Sequence, residues 1–238
     1  MREIFLEEVD STNLYGKNNL KDLPDRTVIY AARQTSGRGR LARNWVDLGG
    51  ENLFLSFILK PSDKFNEKFS NITQYLSVVL CDILESYGLE PSIKWPNDVL
   101  IGSRKISGIL CETVMQGSSF NGLVLGVGVN LNSDFATLET IDKPATSLNL
   151  EVGRHIDVEL FKSRLVNAFF ENYDEFLEKG FEFIKSKYIS HASFLDKEIC
   201  VQSLNKKNKG IAKTLTDRGE LVLDSKGKIL VLTIGDIL

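Results

Sequence analysis

The chain has 238 residues, with 29 Lys and Arg against 32 Asp and Glu and a formal net charge of −3. At 42% hydrophobic and 26% charged, its composition is that of a folded globular protein, which excludes a disordered or fibrous chain, and its length suits one large domain or a domain with a small appendage. The charge is unevenly placed: no acidic residue occurs from Arg26 to Val46, where five of the ten arginines (Arg26, Arg33, Arg38, Arg40 and Arg43) make a local block of +5.

In chain order, IFLEEV (4–9) alternates like a strand, and Asp10 or Ser11 then offers an N-cap for a short helix carrying Thr12, Asn13, Leu14 and Tyr15. TVIYAARQ (27–34) and NLFLSFILK (52–60) read as strands, the second stopped by Pro61. Residues 68–87 have helical spacing, with Phe69, Ile72, Leu76, Val79, Leu80, Ile83 and Leu84 on one face and Gly88 at the stop. Short strands follow at SIKW (92–95), DVLI (98–101), KISGILCETV (105–114) and GLVLGVGVNL (122–131), with a turn at Gly102-Ser103. Residues 157–188 read as two helices joined near Gly180. From Lys197 the pattern changes to four β runs, EICVQ, GIAKTLT, ELVLD and KILVLTI, separated by NKKNKG, DRG and SKG turns. The expected class is α+β: a mixed β-sheet with flanking helices over 1–194, then a small β module over 195–238 that is too short to fold alone.

Three cysteines, Cys81, Cys111 and Cys200, are far apart and form no CxxC, which argues for a reducing compartment and against a zinc site or a disulfide framework. His155 and His191 have no neighbouring ligand in sequence, so neither a His-based metal site nor a Ser-His-Asp triad is expected. The charged start MREIFLEEVD has no signal-peptide core, and no apolar run approaches the ~20 residues of a membrane span, so a soluble cytoplasmic protein is expected.

Three segments carry chemistry. QTSGRGRLARNW (34–45) joins glycines, which let backbone approach a ligand, to arginines, whose planar forks suit carboxylates and phosphates. It is neither a phosphate loop of the GxxxxGK[ST] type nor a dinucleotide fingerprint, and by itself it reads first as a solvated, flexible surface loop, RG dipeptides occurring also in nucleic-acid-binding tails. In KWPNDVLIGSRKISGIL (94–110), Pro96 turns the chain after a strand and presents Lys94, Trp95, Asn97 and Asp98, while Lys105 is followed by Gly108. Turn Asn and Asp usually satisfy only their own backbone, and Trp95 could equally be core. GVGVNLN (126–132) reads as buried strand in which Asn130 asks for a partner.

Together and in this order, the segments resemble the biotin protein ligases. DSTN (10–13), GRGRLARNW (37–45), KWPND (94–98), KISGIL (105–110) and GVGVNLN (126–132) match that family's motifs, and GIAKTLTDRGELVL (210–223) looks like its C-terminal SH3-like domain. DSTN begins at residue 10, so the resemblance is to the short, monofunctional class rather than to members with an N-terminal DNA-binding domain. The resemblance implies a class II synthetase-like catalytic domain followed by an SH3-like β-barrel. It also implies two steps: biotin and ATP give biotinyl-5′-AMP and pyrophosphate, and a carrier lysine then takes the biotin.

By motif matching, the resemblance assigns Arg40, Lys105 and Asp98 to catalysis. It assigns Ser11, Thr12, Asn13, Gln34, Gly37, Arg38, Lys105 and Gly108 to biotin. To ATP it assigns Arg38, Arg40, Arg43, Trp45, Lys94, Asn97, Lys105 and Asn130, with Trp45 stacking near the adenine. Mg²⁺ is expected to arrive with ATP, touching Asp98 or Asn130, rather than to occupy a dedicated cage. The implied partner is a biotin carboxyl carrier protein, of acetyl-CoA carboxylase or a similar enzyme, with no DNA or membrane partner and with a monomer or a homodimer both open. The 36–45 loop is expected to be mobile until ligand binds. A lipoate or octanoate ligase of the same fold is the alternative. A nucleic-acid-binding role for the basic loop fits poorly with a net-negative chain.

Overall fold

The computed structural model describes residues 1–40, 43–49, 51–62, 66–117, 119–203 and 206–238. In chain order its elements are β1 (Arg2–Val9), α1 (Thr12–Asn18), β2 (Thr27–Gln34), β3 (Leu53–Leu59), α2 (Ile72–Glu85), β4 (Pro91–Lys94), β5 (Asp98–Ile101), β6 (Arg104–Gln116) and β7 (Ser119–Val129). There follow α3 (Phe135–Leu138), α4 (Leu148–Val152), α5 (Val158–Glu171), α6 (Tyr173–Lys179), α7 (Phe181–Ser190), β8 (Glu198–Ser203), β9 (Lys206–Leu215), β10 (Leu221–Ser225), β11 (Lys228–Leu232) and β12 (Asp236–Ile237). The chain divides into two units: Met1–Asn66 with Ser103–Val166, and Glu67–Gly102 with Asn167–Leu238.

The first unit is built on a mixed sheet in the order β1-β2-β3-β7-β6. β1 and β2 are parallel, which the intervening helix α1 makes possible, and the remaining pairs are antiparallel. The registers Ile29↔Ser56, Ser56↔Gly126 and Gly126↔Leu110 line up one row across four strands. Phe54↔Gly128 and Gly128↔Gly108 make the next row on the same face. α1 lies on this face, with Gly16 against Ile58, Val124 and Ile29, and these join Leu20 and Leu23 in a buried cluster. The opposite face carries Tyr30, over whose ring the Lys162 Nζ of α5 sits at 3.8 Å. That ammonium is also 3.0 Å from Glu3 and 2.7 Å from Glu159. Burial works against its charge, but the hydrogen bonds to Glu159, Glu3 and Tyr30 prevail and raise its pKa.

The second unit centres on α2. It begins at Ile72 after a 3-10 turn over Glu67–Asn71, later than the 68–87 spacing predicts, and buries residues on nearly every side. Tyr75 stacks on Phe176 at 4.6 Å, and its hydroxyl donates to Phe169 O at 2.6 Å. The expected helix pair over 157–188 is three helices, because the chain also breaks at Asn172 (φ −118, ψ 12) before α6, while Gly180 (φ +67) separates α6 from α7 as its position predicts. The C-terminal strands form an antiparallel sheet in the order β11-β10-β9-β8-β12. NKKNKG, expected as a turn, is extended from Lys206 onward, where β9 pairs with β8 as Ser203↔Lys206 and Gln202↔Lys207; Asn205 lies outside the described residues.

The DRG turn of this sheet is fixed by side chains of the same unit. Asn71 Nδ2 donates to Arg218 O at 2.9 Å, Gln74 Nε2 to Gly219 O at 3.0 Å and Trp95 Nε1 to Gly219 O at 3.2 Å. Gly219 has φ +73, and a Cβ there would meet Asn71 Nδ2 at 2.5 Å and Gln74 Oε1 at 2.6 Å. Gly219→Ala therefore combines backbone strain with overlap and is expected to destabilise the chain by about 1–3 kcal/mol, read as a lower urea midpoint.

Candidate active site

The residues of DSTN are placed by the start of α1. Ser11 is the N-cap in extended conformation (φ −157, ψ 133), and Ser11, Thr12 and Asn13 are all buried. Thr12 N donates to Gln34 Oε1 at 2.8 Å, and Thr12 Oγ1 is 3.2 Å from the same oxygen. Ser56 Oγ of β3 lies 2.8 Å from Thr12 Oγ1 and 2.7 Å from Asn13 Oδ1. Since an amide oxygen can only accept, the Ser56 proton points to Asn13. Asn13 Nδ2 in turn donates to Leu110 O at 3.3 Å and to Glu112 Oε2 at 3.1 Å. The result is a continuous polar row, Gln34–Thr12–Ser56–Asn13–Glu112, across one face of the sheet. Gly126 lies beneath it: a Cβ there would overlap Asn13 Oδ1.

A second glycine surface carries the aromatic of the GRGR segment. Gly108 and Gly128 are register partners in β6 and β7, and the Trp45 ring lies over both. A Cβ on Gly108 would meet Trp45 and Lys105 Nζ at 2.9 Å each, and one on Gly128 would overlap the indole. Lys105 Nζ is 5.5 Å from the Trp45 ring centroid. The described part of the loop is a narrow turn closed by Trp45 N→Gly37 O (2.9 Å), Gly39 N→Arg43 O (2.8 Å) and Arg43 N→Arg40 O (3.1 Å). Leu41 and Ala42 lie outside the described residues. Arg38 and Arg43 are exposed and Arg40 is half-buried.

The acid-free stretch is countered from elsewhere in the chain. Glu112 Oε1 of β6 lies 2.8 Å from Lys17 Nζ and 3.2 Å from Arg38 NH2. Burial pushes the Glu112 carboxyl up, but hydrogen bonds from Lys17 and Asn13 and the charges of Lys17 and Arg38 outweigh it and hold the group below its usual range. Neighbouring Cys111 goes the other way: burial, then the Glu112 charge, pushes its thiol up to about 12. Gln34 N donates to Asp47 Oδ2 at 3.0 Å, a further acid just beyond the basic stretch.

Asn130 is tied into the fold at the end of β7. Its Nδ2 donates to Thr146 O at 3.0 Å and its backbone N to Ile106 O at 2.9 Å. Asn52 caps the same region, accepting from Leu131 N at 2.8 Å and from Asn132 N at 3.2 Å. Lys105 is held by backbone bonds with Pro144 and Thr146.

Lys94, Trp95, Asn97 and Asp98 lie together in the second unit, on the β4–β5 hairpin, where Lys94 and Asp98 are register partners. Trp95 is a buried anchor, and Tyr188 OH donates to Pro96 O at 3.1 Å. Asn97 is buried and Asp98 half-buried. Asp82, Glu85 and His191 are the one group of potential metal ligands among the described residues, within 4.8 Å of one another, but Lys187 Nζ already neutralises Asp82 at 2.6 Å and none belongs to the motifs. Sequence reading missed Ser56, Asn52 and Glu112. Ser56 has one signal, being the single polar residue inside a wholly buried strand.

Residues 5–130 match the biotin/lipoate A/B protein ligase family model, more than half of the chain. The chain belongs to this family. Among its relatives in the biotin/lipoate ligase family, the bifunctional ligase/repressor BirA of Bacillus subtilis is 31% identical over 218 residues, covering 90% of this chain and 66% of that protein. This chain thus spans about two thirds of the length of that relative. The biotin–[acetyl-CoA-carboxylase] ligase of Paracoccus denitrificans is 29% identical over 226 residues, covering 92% of each. The structure of the biotin protein ligase from Aquifex aeolicus in complex with biotin and ATP superposes with a TM-score of 0.83 at 29% identity, covering 100% of this chain and 97% of that one.

A carboxylate whose pKa is lowered by folding stabilises the fold above its unfolded value, about 4.3 for Glu, and loses that contribution as pH falls through the lowered folded value. The urea-unfolding stability gap between the unmodified chain and Glu112→Gln is therefore expected to be widest near neutrality and to close in acid below about pH 4.

Proposed function

We propose that this chain is a biotin–protein ligase. The observation that carries the reading is the meeting of four motif segments on one sheet face: DSTN and Gln34 in the polar row, and Trp45 of the GRGR segment over the glycines of KISGIL and GVGVN. Biotin's ureido group has two N–H donors and one carbonyl, and it needs short, fixed polar partners. Ser11, Thr12, Asn13 and Gln34 supply them, while Gly37 and Gly108 let the GRGR turn and the Trp45 indole pack close beside that row. A polar row of this kind suits a ureido ring better than the acyl chain of a lipoate or octanoate substrate.

In the first step a biotin carboxylate oxygen attacks the α-phosphorus of ATP, forming the mixed anhydride biotinyl-5′-AMP and expelling pyrophosphate. An anion approaches a polyanion, so catalysis consists largely of neutralisation and positioning. Arg38, Arg40, Arg43 and Lys105 supply the positive charge, Arg40 and Lys105 at the carboxylate and α-phosphate where charge develops. Trp45 offers its face to the adenine, and Lys94, Asn97 and Asn130 are polar contacts for the nucleotide. In the second step a carrier lysine attacks the acyl carbon and AMP leaves; Asp98 orients the incoming amine. Mg²⁺ arrives with ATP and neutralises the charge of the triphosphate, with Asp98 or Asn130 as an oxygen donor from the protein.

The carrier is a biotin carboxyl carrier domain of the acetyl-CoA carboxylase kind, and the enzyme works in the cytoplasm. Among the described residues, no helix is long and apolar enough to cross a membrane. We assign residues 1–194 to catalysis and 195–238 to a module whose DRG turn steadies the KWPND hairpin through Trp95.

Incubation with biotin, Mg-ATP and a biotinyl carrier domain is expected to add the mass of one biotin to the carrier; no gain with biotin, but a gain with lipoate or octanoate, overturns the reading. Arg40→Ala and Lys105→Ala are each expected to slow biotin-dependent pyrophosphate exchange by roughly 10²–10³-fold, the scale of losing one preorganised charge-stabilising group.

A further inference from the structure

Glu112 faces the polar row, yet neither step of the reaction needs a carboxylate at that place. Its two oxygens divide three partners: Oε1 takes Lys17 Nζ at 2.8 Å and Arg38 NH2 at 3.2 Å, and Oε2 takes Asn13 Nδ2 at 3.1 Å. Its side chain is 14% exposed, against 43% for Arg38, so the acid is the fixed member of the pair and the arginine the adjustable one. We propose that Glu112 is a positioning residue for adenylate formation, aiming the Arg38 guanidinium at the substrate carboxylate and fixing the amide of Asn13. The proposal rests on the ligase reading above.

Three physical points support it. An arginine side chain carries about 2 kcal/mol of rotamer entropy, and a half-exposed one has no set direction unless a partner supplies it. The contact to Arg38 goes through one terminal nitrogen, whereas a bidentate clamp would engage the fork that a carboxylate or phosphate substrate needs. Lys17 shares the same oxygen, so the trio of Lys17, Arg38 and Glu112 keeps a net charge of +1 and the site stays attractive to anions. The amide of Asn13 is fixed from both ends, its oxygen by Ser56 of β3 and its nitrogen by Leu110 O and Glu112 of β6. Glu112 thus sets the orientation of two proposed biotin contacts at once, from a position 74 residues away from Arg38 and 99 away from Asn13 in sequence.

The test is biotin-dependent pyrophosphate exchange by the full chain and its Glu112→Gln, Arg38→Ala and double variants, with thermal unfolding confirming that each is folded. Gln keeps an acceptor for Asn13 and the shape of Glu but removes the charge that steers Arg38. Glu112→Gln is expected to lower kcat/KM for biotin about tenfold, mainly through KM, the scale of one charge-assisted hydrogen bond. In the Arg38→Ala background the same change is expected to cost less than about threefold, because the group it acts through is gone. Glu112→Asp, which keeps the charge one methylene short, is expected to fall between the two. Unchanged kcat/KM in Glu112→Gln, or full additivity with Arg38→Ala, overturns the role while leaving the ligase reading intact. An unmodified chain with no biotin-dependent exchange overturns the ligase reading, and the role with it.

Discussion

A side chain can lie flat on a β-sheet only where the strands beneath it carry none. In the first unit that constraint is met at Gly126, Gly128 and Gly108, all on the face that α1 covers. Gly126 makes room for the amide of Asn13, and the Gly108–Gly128 pair makes room for the indole of Trp45. Without those openings the residues of DSTN and the end of the GRGR segment would stand off the sheet by the thickness of a side chain. The polar row and the seating of the indole follow from this approach. Asn13 can reach β3 and β6 together only because it sits directly above β7, between them. Glycine, usually a weak strand residue, is here the residue that lets two other segments share one surface.

Charge is organised by the same geometry. Lys17 projects from α1 and Arg38 from the turn after β2, and both converge on the one carboxylate that β6 raises on this face. A +5 stretch with no acid in its own sequence would repel itself if it stood alone. In the fold, Glu112 draws off part of that repulsion, and Asp47 caps the last amide of β2. A carboxylate close to the arginines is therefore compatible with anion recognition when it is itself shared between two cations.

Much of this was legible in the sequence, and what was not has a physical reason. β2 matches TVIYAARQ at both ends, and β3, β6 and β7 fall within about a few residues of their apolar runs, because strand periodicity is a local signal. Gly180 breaks the helices where expected, but the second break at Asn172 carries no glycine or proline and could not be read. NKKNKG is turn-like in composition, yet pairing with β8 carries it into the sheet from Lys206, since tertiary pairing overrides local preference. The motif residues could be named through the resemblance of their segments to a known family, and Asn130 stood out by itself as a polar residue in an apolar strand in need of a partner. Glu112 could not: it is one acid in an ordinary strand, and its importance lies in partners that are distant in sequence. Ser56 stood out only as a polar residue in an apolar run, with nothing to say that it would join Thr12 to Asn13.

The chain contains two tryptophans, and the fold gives one to each unit. Trp45 lies partly exposed over the glycine pair with an ammonium 5.5 Å from its ring, where its surroundings are polar and open to exchange. Trp95 is 2% exposed and hydrogen-bonded to Gly219 O, an apolar and immobile setting. The molecule therefore carries two indoles in distinct settings: a partly exposed one beside an ammonium, whose optical signal reports on the glycine surface of the first unit, and a buried one whose signal reports on the seating of the C-terminal sheet.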